Sequence, residues 1–103
     1  MLKYLKCLWI TMWMTIHADG GFTEHPDWDD PSLETMQGVV GGLIEAIPRP
    51  YCPPPVKVAW ANEEGMLLGL PINQIATTLF GITLFGDILM DYDKEAVWGE
   101  GLE

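Results

Sequence analysis

Two adjacent carboxylates, Glu63 and Glu64, sit in the stretch Asn62-Glu63-Glu64-Gly65-Met66-Leu67-Leu68-Gly69-Leu70-Pro71-Ile72-Asn73. Paired carboxylates can work as acid and base, but neighbours in a turn point in different directions and need help from elsewhere. No other part of the sequence supplies it. Gly20-Gly21 and Gly41-Gly42 lack the downstream Lys and strand-to-helix setting of a phosphate-binding loop, and there is no nucleophile elbow, triad or His-Glu-x-x-His. His17 and His25 flank one turn and could face each other as a two-histidine metal pair, although two surface histidines is the simpler reading. Cys7 and Cys52 are the only cysteines, and a zinc site would be short of ligands. Two free thiols in a reducing cell is the default; a disulfide would need Cys52 to meet the first strand. The residues therefore point to binding rather than catalysis, with no cofactor and no metal.

Two kinds of binding fit them. Asp27, Asp29, Asp30, Glu63 and Glu64 could engage a basic groove on a protein that normally holds nucleic acid, where complementary charge speeds association. Alternatively, Glu45, Asn62 and Asn73, with Glu63, could offer hydrogen bonds at the mouth of a small-ligand pocket over an apolar floor. Ionic strength separates the two, because salt screens an exposed acidic surface far more than a buried polar pocket.

Charge favours the first. The 103 residues carry fifteen acids against five bases, a formal charge of −10. Lys3 and Lys6 lie in the first six residues, which leaves Arg49, Lys57 and Lys94 to the rest of the chain. Five bases cannot supply a phosphate-tracking patch, so direct nucleic-acid binding is excluded. The plainer use of the acidity is to keep a small protein with five Trp residues soluble.

The elements that must position these residues read as one domain over 1–103, with 1–11 a possible variable extension and 91–103 an acidic tail. Lys3 and Lys6 before the apolar run Cys7 to Ile16 superficially resemble a signal peptide, but Ile16 stands where the cleavage site needs a small residue. The run is too short to span a bilayer. A first strand fits better, with Trp13, Thr15 and His17 on one face and Met12, Met14 and Ile16 on the other. Met12 or Met14 could equally be the natural start. Asp19-Gly20-Gly21 is a hairpin turn leading to a short strand over Phe22 to His25.

Asp30 as N-cap, Pro31 at the first helical position and Glu34 in the first turn predict a helix over 31–40, ended by Gly41-Gly42. Gly38 inside it costs up to ~1 kcal/mol relative to Ala, which argues for close packing there. Leu43 to Ile47 reads as a third strand, with Glu45 either at a sheet edge or lining a pocket. Pro48 to Pro55 reads as an extended surface loop, a stiff connector. Val56, Val58 and Trp60 alternate with Lys57, Ala59 and Ala61, a half-buried strand. Asn62 to Gly65 then predicts a hairpin turn into Met66–Leu70, stopped by Pro71. Asn73 caps a short helix over 74–80, closed by Gly81. Ile82–Phe85 and Ile88–Met90 are strand material joined by Gly86-Asp87, a turn or bulge at a sheet edge. The fold class is α+β: a mainly antiparallel sheet of hairpins, covered by one longer and one short helix.

One series of motifs has a familiar order. Ile16-His17-Ala18-Asp19-Gly20, Ser32-Leu33-Glu34, Val40-Gly41-Gly42-Leu43-Ile44-Glu45, Asn62-Glu63-Glu64-Gly65, Leu70-Pro71-Ile72-Asn73 and Gly86-Asp87 resemble a small family of phage, plasmid and bacterial proteins known only as a domain of unknown function. The likeness covers about residues 14–90, and departs from the family pattern in the first dozen residues, in 48–55 and at Ile72. The chain also looks like a type II anti-CRISPR protein within that family, an inhibitor of the Cas9 nuclease. That resemblance implies Cas9 or its guide-RNA complex as partner, in the cytoplasm of the bacterial host; a monomer with no membrane contact is the separate expectation for the chain. It implies no catalytic residues.

Overall fold

The computed structural model describes residues 11–93. Cys7, Trp9 and the rest of the predicted extension before Thr11, and Trp98 with the tail from Lys94 onward, lie outside the described residues.

The hairpin at the start of the chain forms as its residues predict. β1 (Thr11–Ile16) pairs antiparallel with β2 (Phe22–His25), with Ile16 opposite Phe22 and Trp13 opposite His25. In the turn, Asp19 Oδ1 accepts from the Gly21 N–H at 2.9 Å. α1 (Leu33–Val40), β3 (Ile44–Ala46), β4 (Val56–Asn62), α2 (Gln74–Phe80) and β5 (Ile88–Asp93) follow. The strands form one five-stranded sheet in the order β2-β1-β5-β4-β3, and every pairing is antiparallel. The fold is α+β. Among the described residues, no helix is long and apolar enough to cross a membrane.

Alternation along the strands divides the core into two layers. Trp13 and Leu89 face α1, where Val40 completes a buried cluster flanked by Trp28, Met36, Val58 and Trp60. Ile16, Ile88 and Met90 face the opposite way, packing with Ala59, Ala61, Leu84 and the α2 residues Ala76 and Phe80. Each helix thus covers its own face of the sheet, and β5 is central between them.

Several expectations need correction. Met66–Gly69 is a run of turns and Leu70 is irregular, so Met66–Leu70 is not a strand and Asn62–Gly65 does not close a β-hairpin. The reason is topological: both edges of β4 are already occupied, by β3 and β5. The α1 cap is Ser32 and not Asp30; Ser32 Oγ accepts from the Thr35 N–H at 3.1 Å, which leaves Pro31 outside the helix. A Cβ on Gly38 would meet nothing within 4 Å, so no close packing explains that glycine. Residues 48–55 are not wholly extended, since Arg49–Tyr51 form a 3₁₀ turn. Gly86-Asp87 leads into the central strand and not along a sheet edge, and the acidic tail begins late, because Asp91, Tyr92 and Asp93 complete β5 beside β1.

Asn73 pins these parts together. It is fully buried. Its Oδ1 accepts from the Ala76 N–H at 3.0 Å, capping α2. Its Nδ2 donates to Ile16 O at 2.8 Å and to Gly86 O at 2.9 Å, joining the end of β1 to the segment before β5. Asn73→Ala removes the cap and strands two buried carbonyls, and should lower the unfolding free energy by about 2–4 kcal/mol in urea titrations. Asn73→Asp keeps the cap acceptor but loses both donors, so it should rescue little at neutral pH. A loss below about 1 kcal/mol in both variants would show that the network contributes little.

Candidate functional site

The acids that sequence reasoning singled out are all on the surface, in two groups. Asp27, Asp29 and Asp30 lie between β2 and α1, and each is exposed. Glu63 and Glu64 are exposed on the turn that leaves β4. Asn62 holds that turn against the far end of α1: its Nδ2 donates to Val40 O at 3.0 Å, while its Oδ1 accepts from the Glu64 N–H at 2.7 Å. One group therefore stands before α1 and the other at its end, separated by an eight-residue helix of ~12 Å. They do not converge, so no carboxylate pair for acid–base work arises between them.

The predicted ligand set comes together only in part: Glu45, Asn62 and Glu63 share one concavity, and Asn73 lies outside it. Glu45 is exposed on the edge strand β3, opposite Ala61, so it takes the sheet-edge position. It also lines a concavity of about 240 Å³ with Asn62, Glu63, Met66 and Phe85. Asn62 is buried there with both ends of its amide committed to backbone groups. Asn73 is committed to the core and lines no part of that concavity.

The two bases of the described residues, Arg49 and Lys57, sit apart from the five candidate acids Asp27, Asp29, Asp30, Glu63 and Glu64. Both line a concavity of about 370 Å³ with Cys52 and Asp93, and Arg49 Nη1 donates to Lys57 O at 2.8 Å. Lys57 and Glu63 stand toward opposite ends of β4, roughly 20 Å apart at strand rise. None of Asp27, Asp29, Asp30, Glu63 and Glu64 has a basic partner among the described residues. Cys52 is a free thiol pushed up by burial, against the pull of Arg49.

The histidines do not form a metal pair. His17 bonds Asp87 at 2.9 Å and Thr23 at 2.7 Å, which occupies both ring nitrogens. His25 bonds Thr15 at 2.7 Å and stacks on Trp28 with ring centroids 3.8 Å apart. Burial, then the nearby His17, push the His25 pKa down. Among the described residues, no group of three His, Cys, Asp or Glu side chains could hold a metal ion.

Sequence reasoning missed two features. Met66, Leu67 and Leu68 are exposed, where a strand had been expected to bury some of them. A short continuous apolar run reads equally as a strand buried on both faces, so the residues alone gave no signal of this exposure. On the α1 side of the sheet, Trp13 Nε1, Trp60 Nε1 and Asp91 Oδ1 are buried without hydrogen-bond partners. Asp91 pairs with Trp13 across the β1–β5 ladder. Burial pushes its carboxyl pKa up from the ordinary 3.8; Lys57 opposes this and Asp93 reinforces it. A raised pKa means that the folded state holds the proton more tightly than the unfolded chain. Stability from this group is full below 3.8 and is lost as pH rises through the raised value. Asp91→Asn should therefore raise the melting temperature at pH 7, with the gain shrinking toward zero below about pH 4. A gain that did not change with pH would mean that ionisation is not its source.

The DUF3846 family, described as a domain of unknown function, matches residues 12–96. No curated protein and no solved structure matches the chain. With the match covering well over half of the chain, the chain belongs to the DUF3846 family, a domain of unknown function.

Proposed function

We propose that this chain is a non-enzymatic inhibitor that acts by binding, its acidic loops covering a basic surface on a nucleic-acid-handling protein. The observation that carries the reading is the uncompensated charge. Of the fifteen acids, twelve fall within residues 11–93, where Arg49 and Lys57 are the bases. The five candidate carboxylates are exposed, lack basic partners among the described residues, and lie away from both bases. Such a surface has a field of one sign, which attracts cationic grooves and repels phosphates. Resemblance to a type II anti-CRISPR protein names Cas9, or its guide-RNA complex, as the first partner to test, in the cytoplasm of a bacterial host. Cas9 holds its heteroduplex in a positively charged channel, the kind of surface that clustered carboxylates would contest.

The ligand-pocket alternative has less support, because the amides of Asn62 and Asn73 are committed to backbone groups.

Charge reversal tests the reading directly. Asp27, Asp29 and Asp30 changed to Lys together, or Glu63 and Glu64 changed to Lys together, should each weaken Cas9 binding by about tenfold at ~0.1 M salt. The melting temperature should hold, since all five side chains are on the surface. Binding that survives both sets of reversals would contradict occlusion by these acids.

A further inference from the structure

In the turn after β4, order and exposure disagree. Met66, Leu67 and Leu68 are 71 %, 85 % and 57 % exposed. Single exposed apolar residues are ordinary, but three in sequence on a fixed support form a patch that water solvates poorly. The support here is fixed. Leu68 N–H donates to Glu64 O at 2.8 Å, Gly69 N–H to Met66 O at 3.1 Å and Leu70 N–H to Gly65 O at 3.0 Å. The turn is also seated by two close approaches. A Cβ on Gly65 would stand 3.0 Å from Phe85 Cβ, and one on Gly86 would stand 2.8 Å from Leu70 Cδ1. Leu70 thus packs back onto the body while the three residues before it project from a rigid knuckle.

We infer that Met66, Leu67 and Leu68 are apolar anchors, and that they insert into an apolar pocket on Cas9 rimmed by Lys or Arg side chains. The inference rests on the Cas9-binding reading above and adds to it the contact that holds the complex once charge has brought it together. The chemistry of the pocket follows from the surroundings of the knuckle. Glu63 and Glu64 stand at its base, and Glu45 and Glu63 line the concavity beside Met66. Among the described residues, no basic side chain lines that concavity. An occupant must therefore match an apolar centre and supply cations around it. A second copy of this chain, at formal charge −10, would bring like charges together, and an anionic lipid surface would do the same. Small apolar centres inside polar rims carry most of the affinity in protein complexes.

The test uses the full chain and Cas9, with binding followed at ~0.1 M and ~0.5 M salt. The triple variant Met66→Ser/Leu67→Ser/Leu68→Ser should keep its melting temperature and lose at least tenfold in affinity at both salt concentrations. Glu63→Lys/Glu64→Lys should lose affinity chiefly at the lower one. If the triple variant folds poorly, Leu67→Ser alone should still cost several-fold. Parent and variant binding Cas9 equally would overturn the anchor inference and leave the Cas9 reading standing. A parent that does not bind Cas9 would overturn both. Sedimentation showing a parent dimer that the triple variant abolishes would make a second copy the occupant, and would likewise overturn the inference.

Discussion

A single buried amide, that of Asn73, joins elements that are far apart in sequence. Its two ends reach α2, the last residue of β1 and the segment before β5. Its own N–H donates to Leu84 O at 2.8 Å, and the Gly86 N–H donates to Pro71 O at 2.7 Å. The consequence is a fixed relation between the start of β5 and the end of the 63–72 segment. Because β5 is central, that relation also sets where β1 and β4 stand. An unpaired amide in this position would cost more than the network contributes when complete, so it works as a whole or not at all. The surface knuckle at 66–68 therefore depends on a core contact several residues away.

Charge is the second constraint, and it acts against the fold. The twelve acids of the described residues, set against two bases, repel one another, and the cost is lowest when they stand at the surface in high dielectric. The five candidate carboxylates do so, at either end of α1. Asp91 does not. It is partly buried on the central strand with one oxygen unpartnered, beside two tryptophans whose indole N–H groups are also unpartnered. Nothing in the packing of that face explains why a carboxylate occupies the position. Surface acids and the partly buried Asp91 thus differ in setting: burial pushes the Asp91 carboxyl pKa up.

Local chemistry was legible in the residues wherever it was decided locally. Asp19-Gly20-Gly21 and the strands on either side of it formed as predicted, as did the short helix between Asn73 and Gly81. What could not be read was partnership. Nothing near Asn62 says that both edges of β4 are occupied by β3 and β5, yet this decides that Met66–Leu70 cannot be a strand. Asp91-Tyr92-Asp93 looked too polar for the core, but alternation on the central strand lets Tyr92 pack on one face while the acids turn to the other. Ser32 displaced Asp30 as cap because either residue can serve, and two positions of register chose between them. Of the candidate site, the acids were readable as surface groups. The two asparagines were readable as a turn residue and a helix cap, but the buried hydrogen bonds that commit their amides to distant backbone groups were not.

The claim that an acidic surface contests a nucleic-acid channel is tested most directly by order of addition. Cas9 target cleavage would be followed with this protein added before guide RNA, before DNA, or last, at several salt concentrations. Competition predicts protection when the protein precedes the nucleic acid that it displaces, fading as salt screens the carboxylates and absent when it is added last. Cleavage unaffected in every order, with no binding to Cas9, would contradict it.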